Sequence, residues 1–120
     1  MPKYVDGFVI PIPTKNLPAY RKMAQKGSKV WRDHGALEYR ECVADDMEVK
    51  AGLSFPAGIK AKADETIVFA WIVYKSRAHR DSVNKKVMAD PRLQAMMDPK
   101  GMPFDGKRMI YGGFTVLVQG

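Results

Sequence analysis

A chain of 120 residues, 46% apolar and 28% charged, fits one ordinary globular domain with a core that needs no covalent staples. The net charge of +7 invites an acidic partner. Its carriers (Arg21, Lys22, Lys26, Lys29 and Arg32, then Arg77, Arg80, Lys85 and Lys86) are spread around two helical segments as solvated faces rather than gathered on one. Cys42 is the single cysteine, which excludes an internal disulfide and a cysteine-cluster metal site. No apolar run of about 18 residues is present, so no segment reads as a membrane helix. The first residues lack the basic-then-apolar layout of a secretory signal, and a cytoplasmic protein is expected.

Taken in chain order, Tyr4 to Ile12 reads as a strand ended by prolines, with Gly7 marking a bulge or a close backbone contact. Asn16 is placed to cap a helix running to about Asp33, with Pro18 in its first turn. Leu17, Tyr20, Ala24, Gly27 and Trp31 form its buried stripe, and Gly35 stops it. Leu37 to Val43 alternates in polarity and suits an edge strand. Residues 44–65 are the least regular stretch, with Leu53, Phe55 and Ile59 as footing for a short helix or docked turn. Ile67 to Tyr74 is apolar without interruption and rich in β-branched and aromatic residues, a strand that must be covered on both faces. Ser76 caps a second helix to about Met88, with Val83 and Val87 inward. Asp90-Pro91 breaks it, Arg92 to Met97 forms one more turn, and a Met-rich loop leads to a last strand over Arg108 to Val118, bent or bulged at Gly112-Gly113.

The order strand, helix, strand, strand, helix, strand predicts an α+β, ferredoxin-like βαββαβ fold. Its antiparallel sheet carries both helices on one face and leaves the other open. Three occupants can cover that apolar face. A second copy of the chain would bury Phe69, Trp71 and Val73 against their symmetry mates and close a dimeric α/β barrel. An RNA could stack on the third-strand aromatics, because Phe69-Ala70-Trp71-Ile72-Val73-Tyr74 resembles the last six places of the RNA-recognition octamer. The leading basic-Gly pair is replaced by Ile67-Val68, so nucleic acid is the weaker reading. A small-molecule pocket, between sheet and helices or inside the barrel, is compatible with the dimer.

The polar groups available to such a pocket are His34, Glu41, His79, Asp81, Arg108 and Tyr111. Trp71 and Tyr111 are expected as walls and Arg108 as an anion contact, with His79 or Glu41 for proton transfer. His34, just before Gly35, is expected to meet the last helical carbonyls. Cys42 is expected as a packed thiol. Two histidines without paired spacing do not make a zinc site, and neither a nucleophile elbow nor a phosphate loop occurs. No metal and no cofactor is expected.

Three stretches carry a family resemblance: Tyr4 to Val9 (YVDGFV), Gly35 to Cys42 (GALEYREC) and Met102 to Phe114 (MPFDGKRMIYGGF). Together they resemble the bacterial family called domain of unknown function 1428, nearly end to end. The resemblance implies the dimeric α/β-barrel superfamily, and hence a homodimer. That superfamily also includes small monooxygenases, haem-degrading enzymes and stress-responsive proteins, whose activities would come over only by analogy of fold. No catalytic residue is transferred. A cofactor-independent enzyme, a binding protein and a purely structural dimer all remain open.

Overall fold

The computed structural model describes residues 2–120. Strand β1 (Tyr4–Pro13) passes through a 3-10 turn into helix α1 (Leu17–Asp33), then strand β2 (Glu38–Val43). A short helix α2 (Phe55–Ile59) interrupts the connection to strand β3 (Glu65–Tyr74). Helices α3 (Arg77–Met88) and α4 (Pro91–Met96) precede strand β4 (Ile110–Thr115). The sheet order is β2-β3-β1-β4 and every pairing is antiparallel, so the expected ferredoxin-like α+β fold is the one observed. β2 lies at an edge, as its mixed polarity implies.

Register assigns every strand residue to a face. Phe8 opposes both Ala70 and Tyr111, and Glu41 also opposes Ala70. Tyr4, Asp6, Phe8, Ile10 and Ile12 therefore share the helix face with Val68, Ala70, Ile72 and Tyr74, and with Tyr39, Glu41 and Tyr111. Two buried clusters form there. One joins Val30, Val83, Val87 and Leu93 to Ile72 and Tyr74; the other joins Tyr20 to Ile10, Ile12, Val68 and Ala70. Val30 is a core residue of α1 beyond the expected stripe, since Gly27 is followed at both three and four residues by inward side chains.

The opposite face carries Val5, Gly7, Val9, Ile67, Phe69, Trp71, Val73, Ile110 and Phe114. Pro11 and Ile67 are buried at one end, and Phe55 of α2 stacks on Phe69 with ring centroids 6.1 Å apart. The rest stays open: Phe69 is 45% exposed, Ile110 57% and Phe114 63%. Cys42 belongs to this face and is exposed, which corrects the expectation of a packed thiol.

Several local expectations need revision. Asn16 precedes α1 without a side-chain cap; its Nδ2 instead donates to the Pro103 carbonyl at 2.9 Å and ties the helix start to the Met-rich loop. His34 pairs through Nε2 with Asp90 at 2.8 Å, joining the end of α1 to the start of α4. Arg108 lies in a 3-10 turn (Gly106–Arg108) capped by Asp105, so β4 begins later than expected.

Gly112 and Gly113 do not bulge the strand, since pairing runs unbroken from Tyr4–Thr115 to Val9–Ile110. Gly113 is instead needed for close approach: a Cβ there would sit 2.3 Å from the Tyr4 hydroxyl and under 3 Å from its ring. Gly113→Ala should therefore destabilise the fold by about 1–3 kcal/mol. Gly112→Ala, whose added methyl would meet nothing within 4 Å, should leave stability unchanged or slightly raised. Urea unfolding of the two variants checks the contrast, and equal midpoints would contradict this packing.

Candidate functional site

Where the two helix-side clusters meet, the sheet and helices leave a cavity of about 430 Å³. Phe8, Ile10, Ala70 and Ile72 form its floor, and Ala24, Gly27 and Trp31 of α1 one wall. Met88, Leu93, Met96, Met102, Phe104 and Met109 close it from the α3-to-β4 side. Phe104 is held in place by the Asn16–Pro103 bond and by edge-on contact with Tyr20, centroids 5.6 Å apart. Methionine side chains suit such a wall because they are flexible and polarizable.

Polar groups enter this apolar space at two places. At the first, Glu41 accepts from two phenols, the Tyr39 hydroxyl at 2.6 Å and the Tyr20 hydroxyl on its other oxygen. Tyr39 and Glu41 share a face of β2 because side chains alternate with period two, and α1 brings Tyr20 down from above. Gly27 makes room: a Cβ there would stand 3.3 Å from the Tyr39 hydroxyl. Burial, reinforced by the Glu41 carboxylate, pushes both phenol pKa values far above the ordinary tyrosine range. The protons stay on the tyrosines, and Glu41 is the acceptor. On its far side the same trio lines a second hollow of about 460 Å³ between α1 and the β2 edge.

At the second place, Asp6 lies 7% exposed with Arg80 Nη1 at 3.3 Å. Burial raises the Asp6 pKa, and the Arg80 charge opposes that rise. The Arg80 guanidinium stands over the Tyr4 ring, 4.9 Å from its centroid, and Nη2 donates to the Tyr4 hydroxyl. Asn84 Oδ1 accepts from both Trp31 Nε1 and the Tyr74 hydroxyl, each at 3.2 Å.

The residues expected to build a site do not converge. Glu41 and Tyr111 line the cavity, Tyr111 at its rim and stacked on Phe8. Trp71 lies on the opposite face of the sheet, beside Phe69 and Val73, so it cannot be a wall of the same pocket as Tyr111. Arg108 is engaged elsewhere, with Nη1 2.5 Å from Glu65 and Nη2 donating to the Lys60 carbonyl. It latches the turn before β4 to the end of α2 and is not poised for an anion. His79 accepts the Lys75 N–H on Nδ1 and packs edge-on against Tyr74; burial, then the charges of Lys75 and Lys86, lower its pKa. It lines neither hollow. Asp81 is exposed and pairs with Arg80 Nε at 3.0 Å.

Tyr20, Tyr39, Asp6, Arg80 and Asn84 were not expected as site residues. The signal was present for two of them: Asp6 interrupts an apolar alternation, and Tyr39-Arg40-Glu41 repeats polar groups on one face. Among the described residues, no group of three His, Cys, Asp or Glu could hold a metal, and no helix is long and apolar enough to cross a membrane.

The model of a protein family of unknown function, DUF1428, matches residues 3–106. The chain belongs to that family. It is 45% identical over 116 residues to the uncharacterized protein YbaA of Escherichia coli K12, covering 97% of each chain. Two solved structures share its fold at low identity. A dimeric ferredoxin-like protein from an uncultured marine organism superposes with a TM-score of 0.60 at 11% identity, covering all of both chains. An uncharacterized NIPSNAP domain protein from Burkholderia xenovorans gives 0.57 at 17% identity, covering 94% of this chain and 93% of that one.

Tyr20 and Tyr39, with Tyr74, whose pKa burial also raises, should resist ionisation in the folded protein beyond about pH 10, where a free phenol titrates. A raised pKa favours the protonated fold, so this stabilisation is intact below about pH 10 and is lost as pH rises further. Phenolate absorbance from these three should appear only as the fold is lost. Ordinary titration of all five tyrosines with circular dichroism unchanged would contradict the site geometry.

Proposed function

We propose that the protein is a homodimer that takes an apolar small molecule between its sheet and its helices, with Glu41 exchanging a proton with the bound molecule. One observation carries this reading: a cavity of about 430 Å³, walled by aromatic and methionine side chains, holds a carboxylate already oriented by two phenols. That volume falls within the span of about 300–1,000 Å³ typical of small-molecule sites, which are apolar with a few placed polar groups. Proton transfer by a positioned carboxylate needs no metal or redox group.

The second copy is supported by the open sheet face. Phe69, Ile110 and Phe114 stand exposed there beside Trp71 and Val73, and each side chain of this kind gains roughly 1.5–3 kcal/mol when buried. The related fold from the marine organism is dimeric. Two sheets facing one another would close a barrel and leave both cavities on the outside of it, under the helices. An RNA on that face has less support. Phe8 of β1 points to the helices, Tyr74 is fully buried, and Phe69 is already stacked by Phe55. On the open face Glu38 and Arg40 of β2 pair with each other at 2.5 Å, and Glu65 of β3 pairs with Arg108.

Trp31 lines the cavity and Trp71 does not, so Trp31 emission in a Trp71→Phe background reports on occupancy. Titration with neopentylbenzene, a neutral apolar probe, should give a saturable change. Ala24→Phe, which fills the space from α1, should abolish it. The reading fails if no saturable change occurs, or if Ala24→Phe leaves the change intact.

A further inference from the structure

The charges around the cavity point to the kind of molecule it takes. At the Asp6 end a cation is built in: the Arg80 guanidinium faces two carboxylates, Asp6 at 3.3 Å and Asp81 at 3.0 Å. The Glu41 end has none. Among the described residues, Glu41 has no basic side chain within ion-pair distance. A carboxylate has about four lone-pair positions, and the two phenols fill two of them. The remaining acceptor capacity belongs to a half-buried anion beside an apolar space, where an unpaired charge is costly unless something compensates it.

The rings around this anion add to the argument. Tyr20 and Tyr39 hold the carboxylate, and each packs on a further ring, Phe104 at 5.6 Å and Trp31 at 6.1 Å between centroids. All four line the cavity together with Glu41. A carboxylate set among aromatic rings is the chemistry that recognises organic ammonium groups, through charge and through the negative faces of the rings. An anionic ligand would meet the uncompensated Glu41, and Arg80, the cavity's cation, is already paired.

We infer that the ligand of this cavity is an organic cation, a protonated amine on an apolar body, with its cationic head at Glu41 among Tyr20, Tyr39, Trp31 and Phe104 and its body against the methionine wall. This inference rests on the small-molecule reading above and narrows it. Within it, Glu41 binds the cationic head, and the same contact is the path by which the ammonium proton reaches the carboxylate.

The test compares benzyltrimethylammonium with neopentylbenzene, which has the same shape with carbon in place of the charged nitrogen, by calorimetric titration of the full-length protein. The cation should bind about tenfold or more tightly than its neutral counterpart. Phenylacetate, carrying the opposite charge, should bind more weakly than either. Glu41→Gln should remove the cation preference while the neutral probe still binds, and Tyr20→Phe, which frees a lone pair and keeps the carboxylate, should retain it. If the neutral probe binds wild type and the cation binds no better, the inference is wrong and the small-molecule reading stands. If the preference survives Glu41→Gln, the inference is also wrong. If neither probe binds wild type, both fall.

Discussion

Strand β3 is apolar on both faces from Ile67 to Tyr74, and much of the molecule follows from that. Its even-numbered residues, Val68, Ala70, Ile72 and Tyr74, are buried beneath the helices by the chain itself. Its odd-numbered residues face the other way and are covered only at one end, where α2 brings Phe55 onto Phe69. Removing apolar surface from water is the dominant favourable term in folding and association alike. A sheet covered on one side and open on the other is the observation behind the proposed dimer. The excursion that carries α2 is held by the Arg108–Glu65 ion pair and the Arg108–Lys60 bond, so the partial roof is fixed to the start of β4.

The same alternation decides where chemistry can occur. On β2, Tyr39 and Glu41 face the helices while Glu38, Arg40 and Cys42 face the open side. A carboxylate is thereby carried into an apolar region, and two phenols meet it there. The helices do not seal the sheet completely, because the clusters under the two halves of the fold are separate and the Met-rich segment bridges them loosely. The cavity is the gap that this arrangement leaves. In the proposed reading, assembly and ligand binding thus use opposite faces of one sheet, while the core and the cavity share the helix face.

The fold was legible because its signals are local and strong. The apolar run of β3, the proline-bounded first strand, the Ser76 cap and Gly35 at a positive φ of 111° each report on a few neighbouring residues. The site was only partly legible, because it depends on which residues from distant elements share a face. Glu41 was within reach, since strand parity places it opposite Ala70. Trp71 and Tyr111 looked alike as aromatic walls, yet one residue of register separates the two faces of a sheet. His79 and Arg108 looked like free polar groups, but a main-chain N–H and a carboxylate 43 residues away had already engaged them. The Arg108 pairing is long-range and leaves no trace in spacing.

The central claim is that the open face of the sheet is closed by a second copy of the chain, leaving the helix-side cavity as the working site. Sedimentation equilibrium across a wide concentration range tests it most directly. The account predicts a single species of twice the chain mass down to the lowest measurable concentration, with Trp71 shielded from a soluble quencher throughout. A monomer at micromolar concentration, with Trp71 freely quenched and the fold intact, would contradict it.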